Sequence, residues 1–253
     1  MDTERRAHIR HALQTAYAHE GLWGESQPPH LLPEGVERGD ETHLIFLTLV
    51  YTISGGRDPI PLWTAARQAL PQFPHLFDPQ HLARANPRTL QEPLRQAGLT
   101  AKASEATVWH KIGKALVMRG RGSVSAILAQ AGYDALAMWK MLQQSKTTFP
   151  VLSGEQTAPR WLAGLAAHGG QSLANLDKLA LPASAAGQEA LANLGIEGEL
   201  VSAVMWDAVH ALGRLGCHQQ QGTNGCPLAP ECPVAPFCRW GNLASRHGRA
   251  GEL

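Results

Sequence analysis

An all-α fold is predicted by three features of the sequence. Aromatic residues make up only 6% of its 253 residues while Ala and Leu are abundant, apolar positions recur at helical spacing, and Gly, Pro and Asp punctuate the chain between those stretches. The length suits one large domain or two lobes sharing a core.

Residues 2–20 carry a helical pattern, and Pro28, Pro29 and Pro33 break the stretch that follows, which reads as a lead-in arm. The run from Leu44 to Ile53 is apolar all round, the pattern of a helix buried at the centre of a domain. Gly55 and Gly56 stop it, and Asp58-Pro59 caps the next helix, near Leu62 to Leu70. Amphipathic segments follow at 79–84, 88–97, 103–118, 122–130 and 133–144. Phe149 to Ala158 reads as a hairpin with Gly154 at the turn, leading into a helix from Gln156 to Ala167. Backbone N–H groups at such a helix start form a seat for phosphate. A loop to Ala183 precedes a helix beginning near Ser184, and a last helix is expected from Glu199 to Leu215. The expected division is an N-terminal arm (1–41) packed on the cysteine lobe, a helical lobe (42–183) holding the hairpin motif at 145–167, C-terminal helices with the cysteine loop (184–240), and a tail (241–253).

Charge and hydropathy exclude several classes. With 22 basic against 21 acidic residues, no global field draws the chain to nucleic acid or an anionic membrane, so any DNA-binding surface must be local. The longest apolar run is too short to cross a bilayer, and the charged stretch from Asp2 to Arg10 is unlike a signal peptide. No membrane association is expected, and the expected address is the cytoplasm. In that reducing compartment all four cysteines, Cys217, Cys226, Cys232 and Cys238, read as metal ligands before disulfides. Four thiolates suit a [4Fe–4S] cluster or zinc. Eight, five and five residues separate the successive cysteines, with none of the two-residue knuckles of structural zinc sites, and this loop-wrapped spacing favours the bulkier cluster. Zinc, and plain structural thiols, stay open as alternatives.

The helical body, the Gly-containing hairpin and the terminal four-cysteine loop together resemble the endonuclease III-like family of helix–hairpin–helix DNA glycosylases, over roughly residues 42–240. Val204 to Cys217 is similar to the family's last helix feeding the cluster, and Cys232-x5-Cys238 matches its final spacing, whereas the two earlier spacings are longer than the family's. Phe149-Pro150-Val151-Leu152-Ser153-Gly154 resembles the form of the hairpin in archaeal 8-oxoguanine glycosylases. The resemblance implies a two-lobed helix–hairpin–helix glycosylase fold with a C-terminal [4Fe–4S] cluster loop as brace. It also implies a nucleoid-associated monomer that binds double-stranded DNA with a damaged base or abasic site and flips the lesion into a cleft. Gln156 stands where bifunctional members carry the nucleophilic lysine, and Ser184 where the family carries an aspartate at a helix start.

Three functions follow as expectations. A base-excision protein, an N-glycosylase or AP lyase with atypical or weak activity, would use relocated groups, with Asp177 as the electrostatic residue and Lys146 or Lys178 as amine. A binding-only relative would keep the fold and cluster and grip DNA through Gly154, Gln156 and Thr157, with Arg57, after Gly55-Gly56, entering the duplex and Arg214, Arg239, Arg246 and Arg249 supplying local charge near the cluster. An iron–sulfur electron carrier is the third. The ordinary reading of each of these charged residues is a solvated surface group. Trp63, Trp109, Trp139, Trp161 and Trp206 invite a base-stacking role, but Trp161 and Trp206 have apolar neighbours at helical spacing and read as core, and Tyr133 and His168 read as structural.

Overall fold

The computed structural model describes residues 3–19, 32–100, 102–196, 200–217 and 225–241. Among these the chain is mainly helical, with eleven α-helices and one two-stranded sheet. It divides into two compact units, one of residues 28–179 and the other of residues 1–27 with 180–253.

In the unit of residues 28–179, α2 (Glu41–Tyr51) is the centre, buried at every position from His43 to Tyr51. Its start is fixed by Asp40, whose side chain accepts from His43 N at 2.6 Å. Three helices then begin in the same way, an Asx side chain capping a helix whose first residue is proline: α3 (Pro59–Gln72) after Asp58, α4 (Pro79–Arg84) after Asp78 and α5 (Pro87–Gln96) after Asn86. A 3₁₀ turn at Pro74–Phe77 lies between α3 and α4, in a stretch with no helical expectation. The long α6 (Ala103–Gly120) packs on α4 and α5, and α7 (Val124–Gln130) packs on α2 and α6. The α2 and α7 starts are tied together by Glu41, whose carboxylate accepts from Ser123 Oγ at 2.9 Å and from Val124 N.

The core of this unit is aromatic despite the low aromatic content. Phe46 touches both Trp63 and Phe77 at 5.8 Å between ring centroids, and Phe77 meets Trp109 edge-on at 5.6 Å. Trp63, Trp109 and Trp161 are all within 2% of complete burial, as expected of core rather than base-stacking residues. Next come α8 (Ala135–Gln144) and α9 (Thr157–Ala167). Trp161 of α9 donates Nε1–H to Thr48 Oγ1 of α2 at 2.9 Å, and Gly164 admits Tyr51, whose ring would lie 2.2–2.5 Å from any Cβ there. Residues 32–40, expected to belong to the N-terminal arm, are part of this unit. The Arg38 guanidinium donates to the carbonyls of Ala167 and His168, the exposed end of α9 where a cation is favoured.

The other unit joins the two ends of the chain. It holds α1 (Thr3–His19), β1 (Ala180–Pro182), α10 (Ala185–Asn193), β2 (Leu200–Ser202) and α11 (Trp206–Leu215). The expected helix from Glu199 starts only at Trp206. Residues 200–202 pair antiparallel with β1 instead, Leu181 opposite Val201, and both side chains are buried. Tertiary pairing of a Val-centred segment overrides its helical pattern here. Ile9 and Leu13 of α1 join Leu191, Leu194, Val209, Leu212 and Val234 in one apolar core, and Cys238 is part of it. Gly213 lets α11 lie against the start of α10, since a Cβ there would stand 2.0 Å from the Ala186 carbonyl oxygen. Among the described residues no helix is long and apolar enough to cross a membrane.

Candidate metal centre

Cys217 follows Gly216, the C-cap of α11, and the remaining cysteines are presented by a chain of tight turns. Ala229 N donates to Cys226 O, Cys232 N to Ala229 O, Ala235 N to Cys232 O and Cys238 N to Ala235 O, at 3.0–3.3 Å. Cys226 N donates to Trp240 O, closing the loop on itself, and Arg5 of α1 donates to Phe237 O at 2.7 Å. Each turn advances the chain by three residues, so that every second turn reaches the next cysteine.

All four cysteines border one small cavity of about 20 Å³, whose other walls include Leu194, Leu212, Leu228 and Val234. None of the four is in a disulfide. Burial, reinforced by the neighbouring Cys238 and Cys232, pushes the Cys217 thiol up to about 12, and burial likewise raises Cys232. Crowded, desolvated thiols resist ionisation unless a cation offsets their charge. Among the described residues no three His, Cys, Asp or Glu side chains are close enough together to hold a single metal ion. The donor set of four thiols is one that either zinc or an iron–sulfur cluster takes.

Asn193, the last residue of α10, was not singled out by the sequence. It is 4% exposed, and its Oδ1 accepts from both Arg239 Nε and Trp240 Nε1 at 3.0 Å.

Ser184 is the N-cap of α10, its Oγ accepting from Gly187 N at 3.2 Å. The same oxygen lies 2.7 Å from His210 Nδ1, and the His210 ring is stacked on Trp206 with centroids 5.0 Å apart. Trp206 is itself buried and held by Nε1–H donation to Pro182 O. The i,i+4 spacing of Trp206 and His210 on α11 is the signal that could have flagged this pair.

Between α8 and α9 the chain makes a compact series of turns. Ser153 N donates to Phe149 O, Gly154 N to Val151 O and Ala158 N to Gly154 O. The left-handed residue of these turns is Val151, at φ 64°, rather than the expected Gly154. Gly154 is needed for a different reason: a Cβ there would stand 2.9 Å from Val151 O. Gln156 is exposed and precedes α9 without a side-chain cap hydrogen bond, and Thr157 opens the helix.

The remaining candidates are dispersed. Asp177 and Lys178 are exposed in a 3₁₀ turn (Leu176–Lys178), and Lys146 is exposed after α8. Arg57 is occupied within its own unit, donating to Leu99 O and Glu105 Oε2 at 2.6 Å each. Arg239 is exposed and lies 5.0 Å from the Trp240 ring centroid, Arg214 is half-buried on α11, and Arg246 and Arg249 lie outside the described residues. No protein-family model and no curated protein matches the chain.

Proposed function

We propose that this chain is a DNA-binding protein of the base-excision-repair type, resembling the endonuclease III-like glycosylases, with a [4Fe–4S] cluster on Cys217, Cys226, Cys232 and Cys238. The observation that carries the reading is the bordering of one cavity by all four cysteines at the end of α11. The spacing of the cysteines, with no two-residue knuckle, favours the cluster over a single zinc ion. When bound, the cluster would brace the terminal loop, on which Arg239 is displayed for phosphate contact. The turns between α8 and α9 support the second half of the proposal. The uncapped start of α9 at Gln156 and Thr157 leaves backbone N–H groups suited to a phosphate, in the manner of a helix–hairpin–helix grip on double-stranded DNA.

Within this reading, N-glycosylase or AP lyase chemistry would fall to Asp177 with Lys146 or Lys178. A binding-only protein is the second reading, and specific observations favour it: the Ser184 hydroxyl is engaged in capping α10 and bonding His210, and Gln156 has no amine.

Two measurements test the proposal. Anaerobically purified protein is expected to be brown, with about four iron and four sulfide per chain; a colourless protein with stoichiometric zinc rejects the cluster. Affinity for a duplex containing an abasic site is expected to fall steeply with salt, and a flat salt dependence rejects the phosphate contacts. Borohydride trapping on the same duplex separates the two readings, an adduct supporting lyase chemistry and its absence, with no base release from a lesion panel, supporting binding alone.

A further inference from the structure

We propose that the apolar cavity between α1, α10, β2 and α11 binds a small amphipathic carboxylate, a fatty acid of medium chain length, with its tail inside and its carboxylate on Arg6 and Arg10. The cavity lies within the unit that joins the two ends of the chain, has a volume of about 120 Å³ and involves none of the cysteines. Its walls are Ile9 and Leu13 of α1, Leu191 of α10, Val201 of β2, Met205 just before α11 and Val209 on it, each less than a tenth exposed. An apolar cavity of about 150 Å³ takes up benzene. This one is of comparable size and accepts a hydrocarbon tail of similar bulk.

The border of the cavity sets the charge of its guest. Arg6 and Arg10 stand one turn apart on α1, both are exposed, and no acidic residue lines the cavity. Along α1 the acid Glu4 faces three arginines, of which Arg5 is engaged with the Phe237 carbonyl. Guanidinium groups beside an apolar hole match a carboxylate, which accepts their N–H groups in pairs, joined to an aliphatic tail. A neutral hydrocarbon makes no use of the cations, and a small inorganic anion makes no use of the cavity. Leu200, 64% exposed at the same border, carries the apolar lining outward and lengthens the tail that can be covered.

The test uses the full chain with ¹³C-labelled methionine methyl groups, titrated with the straight-chain acids from butanoate to decanoate and with octan-1-ol. Met205→Leu identifies the signal of Met205, and Met118, 68% exposed in the other unit, serves as the control. The Met205 methyl is expected to shift saturably while Met118 stays in place. Affinity should tighten about fourfold per added methylene until the tail fills the cavity. Octanoate should bind about tenfold more tightly than octan-1-ol, and Arg6→Ala combined with Arg10→Ala should abolish that preference without weakening the alcohol. Both arginines are exposed, so the double variant is expected to keep its fold, and the comparison of acid with alcohol in the unmutated protein needs no variant. An unmoved Met205 signal with every acid overturns the proposal. So does an alcohol that binds as tightly as the acid, or a preference that survives in the double variant.

Discussion

Ser184 Oγ lies 2.7 Å from His210 Nδ1 and at the same time accepts from Gly187 N, so one hydroxyl links the start of α10 to the middle of α11. Ser184→Ala is expected to lower unfolding free energy by about 1 kcal/mol, the ordinary cost of losing an N-cap, read by denaturant titration. Ser184→Asp retains the cap and restores a carboxylate where the glycosylase resemblance places one. Combined with Gln156→Lys it is expected to gain borohydride-trappable lyase activity on abasic-site DNA; an unchanged, silent double variant would count against the correspondence of these two positions with the family's.

Arg57 is expected to act as a brace. Its guanidinium and the Glu105 carboxylate are both less than a quarter exposed. Arg57→Ala and Glu105→Ala should each cost about 1–3 kcal/mol, with a coupling of roughly 0.5–3 kcal/mol in the double-mutant cycle. A variant that weakens DNA binding with no loss of stability would place Arg57 at the duplex instead.

Asp134 gives a pH dependence of known sign. Its carboxylate is held below the ordinary aspartate range by the Ala137 backbone N–H first, then by Asn175, with a smaller contribution from Lys178. Because the folded value is depressed, its stabilisation is complete above the unfolded pKa and is lost as pH falls through the folded one. The stability difference between the native protein and Asp134→Asn should therefore be present at neutral pH and vanish in the acid range; a difference independent of pH would contradict the assignment.

Val151 carries backbone strain that a glycine would relieve. A β-branched residue at φ 64° is unfavourable, so Val151→Gly is expected to stabilise by about 1 kcal/mol. Gly154→Ala should destabilise, through its contact with the Val151 carbonyl. Thermal melts of the two variants in opposite directions would confirm that the turn is shaped by its first half.

Much of the helical order was legible in the sequence because its signals are local. Asp58-Pro59 marks its helix start by side-chain chemistry alone, and Asp78-Pro79 and Asn86-Pro87 do the same. The four cysteines were legible as a group for a similar reason. Leu200–Ser202 was not, since its strand exists only through pairing with Ala180–Pro182, many residues earlier. Asn193 and His210 were missed because their roles depend on partners brought together by folding, Arg239 and Trp240 for one and Ser184 for the other. Arg57, by contrast, was legible as a cation after a glycine pair, but its partner Glu105 was not.

The hydrogen bond from Arg5 to Phe237 joins the opening helix to the closing loop, with residues 28–179 forming a unit of their own in between. During synthesis, α1 emerges before the intervening unit yet cannot complete its packing until the turns around Phe237 leave the ribosome, whereas the intervening unit has its residues earlier. Maturation thus has a built-in order: the middle folds, and the segments on either side of it meet only afterwards, bringing Cys238 into their shared apolar core. A truncation of a few dozen C-terminal residues would leave α1 without its companions while sparing the centre of the chain.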